Sequence, residues 1–309
     1  MIRLDEAEVE RRLGVLDLAA LMRWVLCANA GGDAGGPTRA ALTTPAGVWF
    51  GAMPAWVGPP RTALGAKLVV TIPANAARGL PTHRAAVVLL DPETGEPLAW
   101  IDAEALTRAR TAAVSVVATQ TLARNPRGAH AILGCGAQGN AHLDAFARAG
   151  LVERLALWSR DRARAEASAR AAQAYGLGVR VAPDPDDAVR GADVITTCTA
   201  AAQPLLDANS VGDGAHLNAI GACVADKREL PGALVGASAL IVDDLAAARA
   251  EAGDVILAVA DGAASWDGVV SLGEVLAHRA APRAGRSTIF VSLGLGVEDV
   301  AAAAAILAR

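Results

Sequence analysis

Apolar positions recur with two different periods along this chain, and the period changes twice. Within residues 5–29, Leu18, Leu21, Met22, Val25 and Leu26 fall at helical spacing, which predicts two helices with Asp5 and Asp17 as their caps. The run G-G-D-A-G-G-P at 31–37 reads as a connecting loop. From 38 to 102 the texture turns to short strands broken by glycine and proline. These are predicted over 39–43, 47–52, 66–72, 85–90 and 98–101, with D-P-E-T-G at 91–95 as a hairpin turn. A long helix is predicted over 103–123. Strands are then predicted over 130–133, 155–158, 179–182, 194–198, 216–220, 240–242 and 288–292, alternating with helices that include 162–174, 186–190 and 298–307. This βαβ rhythm belongs to a doubly wound parallel sheet. The expected fold class is therefore α/β, with a doubly wound parallel-sheet domain and a separate β-rich domain.

The sharpest local signal is A-H-A-I-L-G-C-G-A-Q-G-N-A-H-L-D-A-F at 129–146. An apolar strand meets Gly134, Gly136 and Gly139, with Ala137 and Gln138 completing the turn, and a helix begins. Glycines let a pyrophosphate approach backbone N–H groups at a helix N-terminus, where the dipole favours an anion. G-x-G-x-x-G alone is weak evidence, and the next strand decides the reading. That strand ends at Ser159 and Arg160, and Ser159 stands 20 positions after Gly139. An NAD site places a carboxylate there to bond the ribose 2′-hydroxyl. Ser159 followed by Arg160, with Arg162 and Arg164 close behind, suits a 2′-phosphate and predicts NADP over NAD. Asp161 reads as the cap of the next helix. Thr197 and Thr199 end a later strand, where hydroxyls can reach a cofactor, though threonine is also a good strand former.

Composition narrows the class further. The chain has 309 residues, 53% of them hydrophobic and many of those alanine, which is enough for two domains. No run approaches the ~20 uninterrupted apolar residues of a spanning helix, and the N-terminal M-I-R-L-D-E reads as a charged helix start rather than a signal peptide. A net charge of -4 with both signs dispersed leaves no nucleic-acid footprint. Cys27, Cys135, Cys198 and Cys223 lack metal-ligand spacing, and the five histidines are scattered. The expectation is a cytoplasmic protein with no disulfide, metal, membrane or nucleic-acid partner.

Several blocks in order carry a family likeness: M-P-A (53–55), Lys67, N-A-A-R-G-L-P-T (75–82), L-T-R-A-R-T-A-A (106–113), I-L-G-C-G-A-Q-G (132–139), A-D-V-I-T-T-C-T (192–199), and N-A-I-G-A-C with R-E-L (218–230). Across nearly its whole length the chain resembles the ornithine cyclodeaminase and mu-crystallin family. The resemblance implies a Rossmann domain, here 119–289, inserted into an α+β substrate-binding and dimerisation domain made of 1–118 and 290–309. It also implies a homodimer, and a small imino or amino acid whose α-carboxylate is bound over the nicotinamide.

Arg39, Lys67 and Arg110 match family positions that hold that carboxylate. Each also has a plainer reading. Arg39 follows a loop and suits a solvated arginine. Lys67 lies in G-A-K-L-V-V-T-I, which leaves a choice between a strand-edge charge and a buried cation with a partner. Arg110 has the apolar helix neighbours Ala109, Ala112 and Ala113, which points to a specific acceptor, and Thr111 is placed to donate to a cofactor phosphate. Lys67 or a bound water would supply the proton to nitrogen. Val297, in S-L-G-L-G-V-E-D, is a candidate pocket wall in a loop that otherwise reads as a strand-to-helix turn. Trp49 and Trp56 flank M-P-A, and His83 lies near the same block.

Two departures from the family pattern redirect the activity. Gly51 stands where ornithine cyclodeaminase carries an acid for the distal amine, and Cys223 stands where ungapped matching puts the catalytic aspartate. Cys223 reads better as a small pocket residue near the nicotinamide than as a nucleophile. Without both carboxylates, ornithine's terminal ammonium has no partner. Reduction of a cyclic ketimine, or interconversion of a small amino acid and its 2-oxo acid, is therefore expected ahead of ornithine cyclisation. A non-catalytic NADP-binding crystallin-like protein is the third reading.

Overall fold

The computed structural model describes residues 1–308. The chain divides into two compact units, Met1–Arg110 with Gly294–Arg309, and Thr111–Leu293. The segment expected at 290–309 thus ends on a residue, Arg309, outside the described ones.

In chain order the first unit opens with β1 (Ile2–Leu4), α1 (Glu6–Leu13) and α2 (Leu18–Gly31). Asp5 and Asp17 cap the two helices, accepting from the backbone N–H of Glu8 and Ala20. Next come β2 (Ala34–Gly35), β3 (Ala40–Thr43), β4 (Trp49–Val57), β5 (Ala63–Thr71), a 3₁₀ turn at Pro73–Arg78, β6 (His83–Leu90) and β7 (Pro97–Asp102). They form one seven-stranded sheet in the order β1-β7-β6-β5-β4-β2, with β3 also on β4. The loop expected at 31–37 therefore contains an edge strand. The strand expected to stop at 52 runs on through Pro54 to Val57. Proline is tolerated there because β3 pairs β4 only up to Ala52 and β2 only from Trp56 onward, so Pro54 faces neither of those edge partners.

α3 (Glu104–Leu122) carries the chain into the second unit. That unit contains β8 (Ala129–Leu133), α4 (Ala137–Arg148), β9 (Arg154–Trp158), α5 (Arg162–Gln173), β10 (Gly178–Val181), α6 (Pro185–Val189), β11 (Val194–Thr197) and β12 (His216–Ala219). It continues with α7 (Gly232–Ala237), β13 (Ala239–Val242), α8 (Leu245–Glu251), α9 (Gly253–Ala260), β14 (Val270–Ser271), α10 (Leu272–Leu276) and β15 (Thr288–Val291). Its eight-stranded sheet has the order β10-β9-β8-β11-β12-β15-β13-β14, and every pair is parallel. The fold is α/β and Rossmann-like. Strand order reverses between β8 and β11, the switch point where such sheets receive ligands.

Both unit boundaries differ from the expected 118/119 and 289/290. The later part of α3 is tied to the nucleotide unit: Ser115 bonds His142 at 2.9 Å, and the Asn218 amide donates to Thr119 at 3.0 Å. Strand β15 (Thr288–Val291) lies between β12 and β13, which places it in the second unit, whose boundary follows at Leu293.

The chain ends in α11 (Gly296–Leu307), part of the first unit. Its alanine-rich face packs on β4, β5, β6 and α2. Small side chains allow that close approach and bury the first turn, including the two carboxylates Glu298 and Asp299. Among the described residues no single helix is long and apolar enough to cross a membrane. The bent pair α1–α2 meets that test by length and composition, yet its Val9, Leu13, Met22, Val25 and Leu26 are buried within the protein.

Candidate active site

In the second unit the glycine turn has the shape its spacing implies. Gly134 has φ +105°, and a Cβ there would lie 2.6 Å from the Cys198 carbonyl oxygen. A Cβ at Gly139 would lie 1.8 Å from the Gly134 carbonyl oxygen. Gly136 caps α4 without a side-chain bond, and the space where its Cβ would stand is open. Ala137 is exposed at the helix start, and next to it Gln138 has its Oε1 buried and without a partner among the described residues. An open, uncapped helix N-terminus with an unused polar atom beside it fits a dinucleotide pyrophosphate.

His142, one turn into α4, braces this turn from behind. Burial brings its imidazole down to about 4, so it is neutral: Nδ1 donates to the Gln138 carbonyl at 2.8 Å and Nε2 accepts from Ser115. Ser159 and Arg160 lie just past the carboxyl end of β9, which pairs with the turn's own strand β8; Ser159 is partly buried and Arg160 exposed. Arg162 pairs with Glu166 at 2.9 Å and Arg164 with Asp161 at 3.4 Å, whereas Arg160 makes no ion pair among the described residues. Asp161 caps α5 through the Ala163 N–H.

Glu229 is the acid of the R-E-L block, which has no assigned role in the sequence reading. It is fully buried and accepts from the N–H groups of Thr199 at 2.6 Å and Gly221 at 2.8 Å, so one carboxylate fixes the loops after β11 and β12. Burial pushes its carboxyl up. Asp254, pushed up to about 7 chiefly by burial, accepts from the N–H groups of Glu229 and Leu230 at 2.8 Å each. The Thr199 hydroxyl closes its own loop by accepting from Ala201, and Cys223 lies partly buried in the loop after β12. Thr111 is buried in the second unit beside the boundary. Burial pushes the Cys198 thiol well up, which leaves it inert as a nucleophile. Among the described residues no cluster of His, Cys, Asp and Glu could hold a metal ion.

The first unit holds a buried charged cluster. Lys67 is in β5, between β4 and β6, so the strand-edge reading fails. Only 4% of it is exposed, and Nζ pairs with Asp299 Oδ2 at 2.6 Å. Arg110, also 4% exposed, donates Nε to Asp299 Oδ1 at 2.9 Å and Nη1 to Glu298 Oε2 at 2.8 Å. Arg39 is partly buried at the end of the loop before β3, close enough to act on Lys67. Val297 is buried in the first turn of α11, immediately before the acidic pair.

Lys67 and Arg110 have partners within the protein as well. Both are already bound to protein carboxylates, in a segment whose sequence reads as an ordinary helix start. Two adjacent acids entering an otherwise apolar helix, V-E-D-V-A-A-A-A-A-I-L, are the available signal. Burial brings the Lys67 ammonium down to about 8, against the opposing pull of Asp299. Burial also pushes the Asp299 carboxyl up, but Arg110 and Lys67 outweigh that and hold it below its ordinary value. Arg39, Lys67 and Arg110 against Glu298 and Asp299 leave one surplus positive charge. His83, at the start of β6, titrates lower than usual because of desolvation and then Lys67.

Residues 2–309 match the family model described as ornithine cyclodeaminase/mu-crystallin. The chain belongs to this family. Among its relatives, the ketimine reductase mu-crystallin of Mus musculus is 38% identical over 255 residues, covering 82% of this chain and 78% of the relative. The Thermococcus litoralis Delta(1)-pyrroline-2-carboxylate reductase, solved with NADH and L-proline, superposes with TM-score 0.92 at 26% identity, covering 99% and 97% of the two chains. An archaeal alanine dehydrogenase dimer with bound NAD superposes with TM-score 0.91 at 31% identity, covering 99% and 94%. These family members are reductases and a dehydrogenase, and both solved relatives carry a nicotinamide dinucleotide.

Proposed function

We propose that this protein is an NAD(P)H-dependent reductase of small cyclic ketimines bearing an α-carboxylate, with the chemically equivalent interconversion of a small amino acid and its 2-oxo acid as a related activity. The observation that carries this reading is the buried Lys67–Asp299–Arg110–Glu298 cluster with Arg39 beside it. It has one positive charge in excess, which suits one substrate carboxylate, and an ammonium poised near neutrality.

The turn at 134–139 and the N–H groups opening α4 would hold the pyrophosphate. When bound, the dinucleotide supplies the hydride. As hydride adds to the ring carbon, the C=N π pair moves to nitrogen, and Lys67 Nζ gives that nitrogen its proton. Lys67 then regains a proton from water. Asp299 keeps Lys67 charged enough to donate while burial keeps it acidic enough to do so. Gly51 and Cys223 supply no carboxylate for a distal ammonium, which argues against ornithine.

The preferred cofactor is NADPH rather than NADH, because Ser159 and the ion-pair-free Arg160 replace the ribose-binding acid. The chain is a homodimer through the outer face of the first unit's sheet. A sheet facing water normally alternates apolar and polar positions. This outer face instead presents Phe50, Trp56, Leu98 and Trp100, which suits a second copy of the same surface.

The test is a panel assayed with NADPH and with NADH: 1-pyrroline-2-carboxylate, 1-piperideine-2-carboxylate, and pyruvate with ammonia, against ornithine assayed for proline and ammonia. Oxidation of NADPH by a ring imine, ahead of NADH, is the expected result. Proline and ammonia from ornithine at a comparable rate would replace this reading with the lyase. No turnover despite tight NADPH binding would favour a binding protein.

A further inference from the structure

The inner face of β4 presents Trp49, Gly51 and Met53 in succession. Met53 is directly opposite Lys67, Gly51 opposite Val69, and Trp49 opposite Thr71. The Gly51 row is therefore one step along the sheet from the buried ammonium, ~7 Å away by strand geometry. Gly51 puts no side chain into that row, yet the row is not empty. A Cβ on Gly51 would lie 2.6 Å from Trp49 Cη2, 3.1 Å from Cζ3 and 3.2 Å from Cζ2. The benzo edge of the indole thus lies over Gly51, in the space a side chain at 51 would need.

A second contact fixes the indole. The Arg39 guanidinium carbon is 5.9 Å from the centroid of the Trp49 ring, at cation–π range, and Arg39 also acts on Lys67. The indole is therefore held between the row it covers and the cation cluster. Beyond Gly51 the same row continues with Val69 and Ala85, both apolar. A distal ammonium brought here would lose its water, find no carboxylate, and meet an aromatic ring already engaged by Arg39.

We propose that Trp49, seated over Gly51, is the specificity-determining wall of the site: it confines substrates to a compact, uncharged ring or side chain beyond the α-carbon. This rests on the reading of Arg39, Lys67 and Arg110 as the carboxylate site. Glycine at 51 is required because any side chain there displaces the indole. The wall and its seat are one device, and substitutions at the two positions are not independent.

The experiment measures binding and turnover separately. Dissociation constants for L-proline, L-pipecolate and L-ornithine are determined with the dinucleotide-loaded wild type and with W49F, W49A, G51A and W49A/G51A. kcat/KM is measured for 1-pyrroline-2-carboxylate and 1-piperideine-2-carboxylate. W49A is expected to shift the five-ring to six-ring ratio, in both binding and kcat/KM, at least 10-fold toward the larger ring, with W49F close to wild type. G51A is expected to shift the ratio in the same direction in the wild-type background and to have no further effect in W49A.

A ratio unchanged in W49A, or a G51A effect of equal size in both backgrounds, overturns the proposal. Absence of turnover in the wild type, with the binding ratios shifting in the expected direction, refutes the reductase reading while leaving the wall standing. Failure of all three amino acids to bind overturns both.

Discussion

Lys67 sits in a tight place electrostatically. Its ammonium is buried, so it is costly to keep charged, and it is paired, so it is costly to discharge. The outcome is a group titrating at about 8 beside a carboxylate held ionised. The sign of the pH dependence comes directly from this. In the proposed mechanism reduction needs the protonated amine, so its kcat should fall as pH rises through about 8, whereas the reverse oxidation, which needs the free base, should rise over the same interval. Lys67→Arg keeps the charge but cannot lose a proton in this range. It should lower kcat ~100-fold or more with a smaller change in KM, and abolish the alkaline limb. Asp299→Asn removes the group that raises the Lys67 value, so the alkaline limb should move to lower pH, with a stability loss of ~3 kcal/mol for breaking a buried pair. An unmoved limb would exclude Lys67 as its source. Lys67 and Arg110 are legible from sequence because a cation in an apolar run must have a partner. The partner is not legible: Asp299 is 189 positions from Arg110, and only the fold brings them together.

Among the elements, legibility tracks the hydrophobic period. Seven of the eight parallel strands are readable to within a residue or two, most of them from apolar runs, whereas the two-residue β14 is not. The caps at Asp5, Asp17 and Asp161 are readable because each precedes a periodic segment. The helices within 232–276 are not, because alanine suits either face and erases the period. Asp254 stays hidden for a related reason, since it accepts from backbone N–H groups, which leave no side-chain signature. Burial raises Asp254 from 3.8 to about 7. The folded state therefore holds a proton that the unfolded chain releases, and this contribution to stability is lost as pH rises from about 4 through 7. Asp254→Asn keeps the oxygen that accepts from Glu229 and Leu230 and removes the charge. Its melting temperature at pH 8 should exceed wild type by about 2–4 °C, equivalent to ~1 kcal/mol, with little difference at pH 5. A lower melting temperature at pH 8 would mean that the ionised form is needed.

In the molecule as a whole, the sheet of the first unit carries apolar side chains on both faces. One face is covered by α11, with α2 packed against α11 and β2. The other, with Trp100 38% exposed, is the surface proposed to meet its own copy. Trp100→Glu places a charge on it without touching the inner face, and sedimentation should then report a monomer that still binds NADPH. An unchanged dimer would move the interface elsewhere. The proposed hydride transfer to the carbon of a ketimine, with Lys67 supplying the nitrogen proton, would leave an isotopic signature. NADPH carrying deuterium at both C4 positions of the nicotinamide is incubated with 1-pyrroline-2-carboxylate, using wild type and Lys67→Ala. The expected product is proline carrying one deuterium at the α-carbon for each NADPH consumed, and it should be lost in the variant with NADPH binding intact. Proline formed without deuterium, or equal yields from both proteins, would contradict this mechanism.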